Sequence, residues 1–150
     1  MRKMLSCTYK RWNKMWKLWK CHKLNSPLEE LVTYDNYMCE GHYYYFKYLK
    51  NDINIRRHMF ILKEFLSKEV YDNLEKAFKL YKDNEAMLRS NNMSSMEIEE
   101  LFLEVDEFFY DDSYELTKII MREVSDSPDI EIFNIEKYKI INKIRSSNKS

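Results

Sequence analysis

The sequence predicts an all-helical fold, and three observations support this. Only one of the 150 residues is glycine and two are proline, so little material is present for the tight turns of β-hairpins. Apolar side chains recur at steps of three or four, and strict alternation nowhere extends over a useful length. The composition is 45% hydrophobic, enough to form the core of one domain. We therefore expect a compact bundle of eight to nine short helices, preceded by an amphipathic helix.

The N-terminal segment, residues 1–25, is predicted to be a basic amphipathic arm. Residues 1–23 hold eight basic residues and no acid, whereas the rest of the chain holds 17 basic and 25 acidic residues. Trp12, Trp16 and Trp19 share one face at helical spacing. Indole rings between lysines suit a membrane interface, and the cations that would meet anionic lipid are Lys10, Arg11, Lys14 and Lys17. The alternative, that the tryptophans dock on the bundle, stays open at this point.

The cysteines and the charge distribution bear on location. Three cysteines without a secretory signal indicate reduced thiols in the cytoplasm. Cys7 and Cys21 lie near the two ends of the arm and are candidates for lipidation, which would strengthen peripheral attachment at the inner face of a membrane. Nucleic-acid binding is not expected, because the acidic body would repel phosphate.

A domain of residues 26–145 follows the arm, and residues 146–150 form a polar tail. Ser26 is expected to cap the first helix of this domain, with Pro27 in the first helical position. Ser67 is placed to cap a later helix, Asp112-Ser113 is read as the entry to another, and Ser127-Pro128 and Asn134 are read as the starts of the last two. The clearest helical periods lie near residues 55–65, 68–83, 96–109 and 114–124.

The periodic positions and the aromatic run after Gly41 define an expected core. It consists of Tyr45, Leu49, Phe60, Leu62, Leu74, Phe78, Val105, Leu116 and Ile120. The run of residues 43–46 is read as core rather than as a ligand pocket. The acids between Glu97 and Glu115 are read as a solvated helix face rather than a calcium site, because the alternating ligands and central glycine of such a site are missing.

No pattern in the chain indicates an enzyme active site. A phosphate-binding loop needs several glycines, and the three histidines have no metal-binding spacing. Cys39 and His42 offer two zinc ligands where four are needed. We expect no catalytic residue, metal, cofactor or small-molecule substrate.

The order of motifs resembles the RGS family, helical domains that bind the α subunits of heterotrimeric G proteins. In that family a glycine precedes Phe-x-x-Phe-Leu, an acid and then Phe-Trp-Leu. Here Gly41 is followed by Tyr45, Tyr48 and Leu49, by Asp52, and by Phe60-Ile61-Leu62. The resemblance implies that Tyr45 and Tyr48 lie inside the bundle. Weaker matches extend the resemblance over about residues 26–142, namely Leu28-Glu29-Glu30-Leu31-Val32, Lys79-Leu80-Tyr81, Tyr114-Glu115-Leu116, Phe133 and Tyr138.

The resemblance implies a protein that regulates the GTPase cycle of a Gα subunit without supplying a catalytic group. It places the partner contacts in three loops at one end of the bundle, at Asp52, Asn54, Arg57, Val105, Pro128 and Asp129. Arg57 and Val105 replace family asparagines, so we expect weakened GTPase activation. A non-catalytic adaptor, or another helical interaction protein at a membrane surface, is the alternative.

Overall fold

The computed structural model describes residues 2–127, with side chains described for 10–112 and 115–127. Within this part of the chain there are seven helices and no strand, which confirms the all-helical class. In chain order they are α1 (Arg2–Lys20), α2 (Leu28–Tyr37), α3 (His42–Leu49), α4 (Asp52–Phe65), α5 (Lys68–Asp83), α6 (Glu85–Arg89) and α7 (Ser95–Asp126). The predicted last helices and the tail lie outside the described residues.

Side-chain caps fix several helix starts. Ser67 accepts a hydrogen bond from the backbone N–H of Val70 at 3.3 Å, so its predicted capping role is confirmed. Ser94 accepts one from Glu97 in the same way at 3.2 Å. Ser26 was expected to cap α2, and this is wrong. Its hydroxyl instead donates to Glu30 at 2.5 Å, and α2 is entered through a cis Ser26–Pro27 peptide.

Helix α7 is longer than the sequence pattern suggested. The segments predicted near 96–109 and 114–124 are parts of one 32-residue helix. Asp112-Ser113 does not interrupt it, because a helix can continue through polar residues when both of its halves pack on the same core. Val105, Phe109, Leu116, Ile120 and Val124 are buried along its inner face. Helix α7 packs on α5, α2 and α1, and so forms the spine of the bundle.

Most predicted core positions are buried. They are Tyr45, Leu49, Leu62, Leu74, Val105, Leu116 and Ile120, with Phe78 partly buried against them. Phe60 is the exception, since 69% of its surface is exposed. The buried face of α4 is set by Ile55, Met59 and Leu62. At about 100° per residue, Phe60 lies roughly 140–160° around the helix from Ile55 and Leu62, and so points to solvent.

The N-terminal helix packs on the bundle and is not a separate arm. Met15 is fully buried, and the three tryptophans are partly buried against the core. The indole N–H of Trp19 donates to the Thr33 hydroxyl at 2.9 Å, and Arg11 donates to the carbonyl of Val124 at 3.4 Å. Docking therefore describes the tryptophan face better than a free lipid-binding face. No helix within residues 2–127 is both long enough and apolar enough to cross a membrane.

Candidate functional site

Asp52 and Asn54 stand at the start of α4 rather than in a loop. The carboxylate of Asp52 accepts a hydrogen bond from Lys82 of α5 at 2.8 Å, and Lys82 also donates to Glu85 at 2.6 Å. The amide of Asn54 donates to the Leu49 carbonyl at 3.1 Å. These two predicted contact residues therefore hold α4 to its neighbours, although Asp52 keeps about two fifths of its side chain exposed.

Arg57 covers a buried carboxylate. Its guanidinium lies 3.6 Å from Glu30 Oε1, and while Glu30 is fully buried, Arg57 is half exposed. His58 lies alongside, and burial lowers its pKa to about 4, against the opposing effect of the Glu30 charge. The ring of Tyr45 lies 6.3 Å from the ring of His58, and the Tyr45 hydroxyl is buried. The Arg57 cation thus compensates a buried charge inside the fold as well as facing solvent.

Val105 cannot offer its side chain to a partner, because it is fully buried in α7. Its assignment to a partner surface is therefore wrong. Its carbonyl accepts a hydrogen bond from Asn73 of α5 at 2.8 Å, whereas Asp52 pairs with Lys82 of the same helix. Nine residues separate Asn73 from Lys82, or about 13 Å along the axis. The two regions are therefore bonded to different turns of α5. Pro128 and Asp129 lie outside the described residues.

A polar network missed by the sequence interpretation joins α2, α3 and α7. Asp106 Oδ1 accepts hydrogen bonds from the backbone N–H of His42 at 3.0 Å and from its ring Nδ1 at 2.7 Å. The other ring nitrogen, Nε2, lies 2.8 Å from the Tyr34 hydroxyl. Tyr34 and His42 are both fully buried. The network therefore fixes the start of α3 against the middle of α7.

The protonation of this network follows from its surroundings. Burial lowers the pKa of His42, although the hydrogen bond from its ring to Asp106 acts in the opposite direction. The neutral ring then carries its proton on Nδ1, facing the carboxylate, and Nε2 accepts from Tyr34. The order Asp–His–hydroxyl is that of a proton relay, but the Tyr34 hydroxyl has no access to solvent. What the hydrogen bonds do in the fold is join α2, α3 and α7.

Next to this network, α3 and α7 border an open groove of about 450 Å³. Six of its lining residues are apolar or aromatic, and three of these side chains are over 40% exposed: Tyr44, Leu103 and Tyr110. Four acids also line it, namely Glu40, Glu99, Asp106 and Glu107, and no lysine or arginine is among its lining residues. The groove thus combines exposed apolar surface with negative charge.

The sequence predicted the surroundings of these groove residues only partly correctly. The aromatic run was expected to be core, and Tyr45 and Phe46 are fully buried. Tyr43 is only partly buried and Tyr44 is exposed, so half of the run faces the groove. Tyr48 was also placed inside by the resemblance, but it is 37% exposed and stacks on Tyr37 at a centroid distance of 4.2 Å. Among the acids read as a solvated face, Glu99 and Glu107 line the groove.

The cysteines and histidines form no metal centre within the described side chains, where no group of three metal-ligating residues comes together. Cys39 is exposed, while His42 is occupied by Asp106 and Tyr34. Cys21, one of the two lipidation candidates, is exposed at the end of α1. The side chain of Cys7 is not among those described.

Comparison with protein-family models, with curated proteins and with solved structures found no match for this chain. The RGS resemblance therefore rests only on the residues quoted above. The groove and its contacts are the remaining guide to function.

Proposed function

We propose that this chain is a non-catalytic helical protein-binding module, and that its groove between α3 and α7 takes the apolar face of a basic helix from a partner protein. The observation that carries the proposal is the composition of the groove. Exposed aromatic and aliphatic side chains lie within it among four acids. Grooves between helices commonly bind amphipathic helices in this way.

The negative charge of the groove favours a basic partner helix over an acidic one. An acidic partner would place like charges against Glu40, Glu99 and Glu107, all of which are exposed. A helix with lysine or arginine beside its apolar face would meet opposite charges at the rim and bury its apolar side chains on Tyr44, Leu103 and Tyr110. Rim charges of this kind contribute mainly to selectivity and association rate, while the buried apolar contacts supply most of the affinity.

A labelled model helix tests the proposal. The probe is a fluorescein-labelled amphipathic peptide of leucine, phenylalanine, lysine and arginine, and its control carries glutamate in place of every cation. We expect fluorescence anisotropy to detect binding of the basic peptide only. The double variant Glu99→Lys/Glu107→Lys should weaken that binding by roughly tenfold, the equivalent of about 1.4 kcal/mol.

The matched control is Glu100→Lys/Glu115→Lys, which makes the same change in net charge on the same helix at exposed positions outside the groove. Its affinity for the peptide should fall only by the effect of the changed net charge. It should therefore bind the peptide much more tightly than the groove variant does. Equal weakening by both double variants would mean that the peptide senses only net charge, and the groove would lose its assigned role.

A second candidate, regulation of a Gα subunit by an RGS-like domain, is favoured by the order of motifs from Gly41 to Leu62. In that case Asp52, Asn54 and Arg57 at the start of α4 would carry the contact, with little acceleration of GTP hydrolysis. A pull-down with Gα bound to GDP and aluminium fluoride, followed by single-turnover GTP hydrolysis, separates the candidates. Nucleotide-dependent capture that survives in the groove variant Glu99→Lys/Glu107→Lys would favour this candidate over the groove.

A further inference from the structure

The outer face of α4 carries the most exposed pair of large apolar side chains on a single described helix. Ile53 is 81% exposed and Phe60 69% exposed. They are seven residues apart, so they lie on one face of the helix about 10 Å from each other along the axis. Arg57 stands between them on the same face and is half exposed. We refer to Ile53, Arg57 and Phe60 as the α4 ridge.

The ridge has basic surroundings. Arg56 and Lys63 flank it and are exposed, and the Arg56 guanidinium lies over the Phe78 ring at 5.5 Å. Of the acids on α4, Asp52 is paired with Lys82, and Glu64 lies one turn beyond Phe60. The ridge is therefore an exposed, largely basic helix face with an aromatic and an aliphatic side chain at its centre. Aromatic residues and arginine are the types that dominate protein–protein contacts.

These are the properties that the proposed function asks of the helix bound in the α3–α7 groove. We propose that a second copy of this chain is such a partner, with the α4 ridge of one molecule seated in the acidic groove of the next. This inference rests on the proposed function, since it uses the same groove. Phe60 and Ile53 would pack on Tyr44, Leu103 and Tyr110, and the arginines would face Glu99 and Glu107.

The contact must be between molecules and must run head to tail. Helix α4 packs on α2, α3 and α5, whereas the groove lies between α3 and α7, and the ridge points away from the bundle. A molecule therefore cannot place its own ridge in its own groove. Because the two surfaces differ, one ridge–groove contact leaves one ridge and one groove of the pair free. Association then closes into a ring, of which a reciprocal dimer is the smallest, or continues as an open chain.

Mixing two variants tests this geometry in the full-length protein. Phe60→Glu removes the ridge and Leu103→Glu removes the groove, and both positions are substantially exposed, so both variants should fold. In sedimentation velocity we expect the wild type to grow in mean mass with concentration and each variant alone to stay monomeric. An equimolar mixture should form one-to-one dimers and nothing larger, because only one intact ridge and one intact groove meet. Met87→Glu, at an apolar position on α6 that is about as exposed as Leu103, is the control and should associate like the wild type.

Each alternative result is decisive. A wild type that stays monomeric up to millimolar concentration overturns the inference, and so does association that Phe60→Glu or the groove variant Glu99→Lys/Glu107→Lys leaves intact. A mixture that remains monomeric while the wild type associates would indicate another interface. Where the wild type stays monomeric, the basic model helix separates the two failures. Binding to both wild type and Phe60→Glu would mean that only self-association fails, and binding to neither would mean that the groove function itself fails.

Discussion

The single glycine of the chain offers the sharpest test of the fold. Gly41 adopts φ 120° and ψ 171°, a region in which residues with a Cβ are strained by about 1–3 kcal/mol. A Cβ placed there would lie 2.6 Å from Asp106 Oδ2. Asp106 cannot move away freely, because its other oxygen accepts two hydrogen bonds from His42. Gly41→Ala thus adds backbone strain and also disturbs a buried network.

We expect Gly41→Ala to lower the free energy of unfolding by about 2–6 kcal/mol, the sum of about 1–3 kcal/mol of backbone strain and about 1–3 kcal/mol for weakened buried hydrogen bonds. Since domains of this size are stable by about 5–15 kcal/mol, the loss is large. Urea unfolding followed by circular dichroism at 222 nm measures it. In an Asp106→Ala background the same substitution should cost less, because the clashing carboxylate is gone and only the strain remains. An unchanged urea midpoint for Gly41→Ala would refute the close approach of α3 and α7.

Three further predictions follow from burial and charge. Leu74 is fully buried, so Leu74→Ala should cost about 2–5 kcal/mol of unfolding free energy, and an unchanged thermal midpoint would show that this face of α5 is misplaced. The pKa of His58 falls from 6.5 to about 4 on folding, and that of His42 is also lowered. Between pH 6.5 and 4 the unfolded chain therefore binds more protons than the folded one, so stability should fall as the pH drops through this range. Urea midpoints against pH check this, and His58→Gln should reduce the slope. Binding to anionic vesicles should depend steeply on salt and should be lost in Lys10→Glu/Lys17→Glu. The tryptophans face the bundle, so the attraction to lipid must come from the cations of α1. Co-sedimentation that is insensitive to salt would exclude an electrostatic attachment.

Local rules in the sequence were enough to predict the helical class and much of the core. The cap at Ser67 and the buried stripes of α4 and α5 depend on neighbours within one or two turns, and these were placed correctly. Phe60 was misplaced because it was counted among the periodic positions. The helical period of Ile55, Met59 and Leu62 already turned it outward.

The groove could not be predicted in the same way, since it depends on contacts between distant segments. Tyr43 and Tyr44 follow Gly41, whereas Leu103 and Tyr110 belong to α7, some sixty residues later. The His42–Asp106 hydrogen bonds join the same two segments, and no spacing rule connects those two residues. The unbroken course of α7 was missed for a related reason, because packing along its full length outweighs the weak stop at Asp112-Ser113.

Asp106 belongs both to the buried network and to the lining of the groove. Comparing it with Glu99, which lines the groove only, separates its contribution to stability from its contribution to peptide binding. Asp106 is bonded to His42, whereas Glu99 is exposed and makes no contact that a helix start depends on. Asp106→Ala should therefore lower both the urea midpoint and the affinity for the basic model helix, because α3 loses its anchor on α7. Glu99→Lys should lower the affinity alone. If Asp106→Ala kept wild-type stability, the network would not be what holds the groove open, and the walls formed by Tyr44 and Leu103 would have to be held by the apolar packing of α3 on α7.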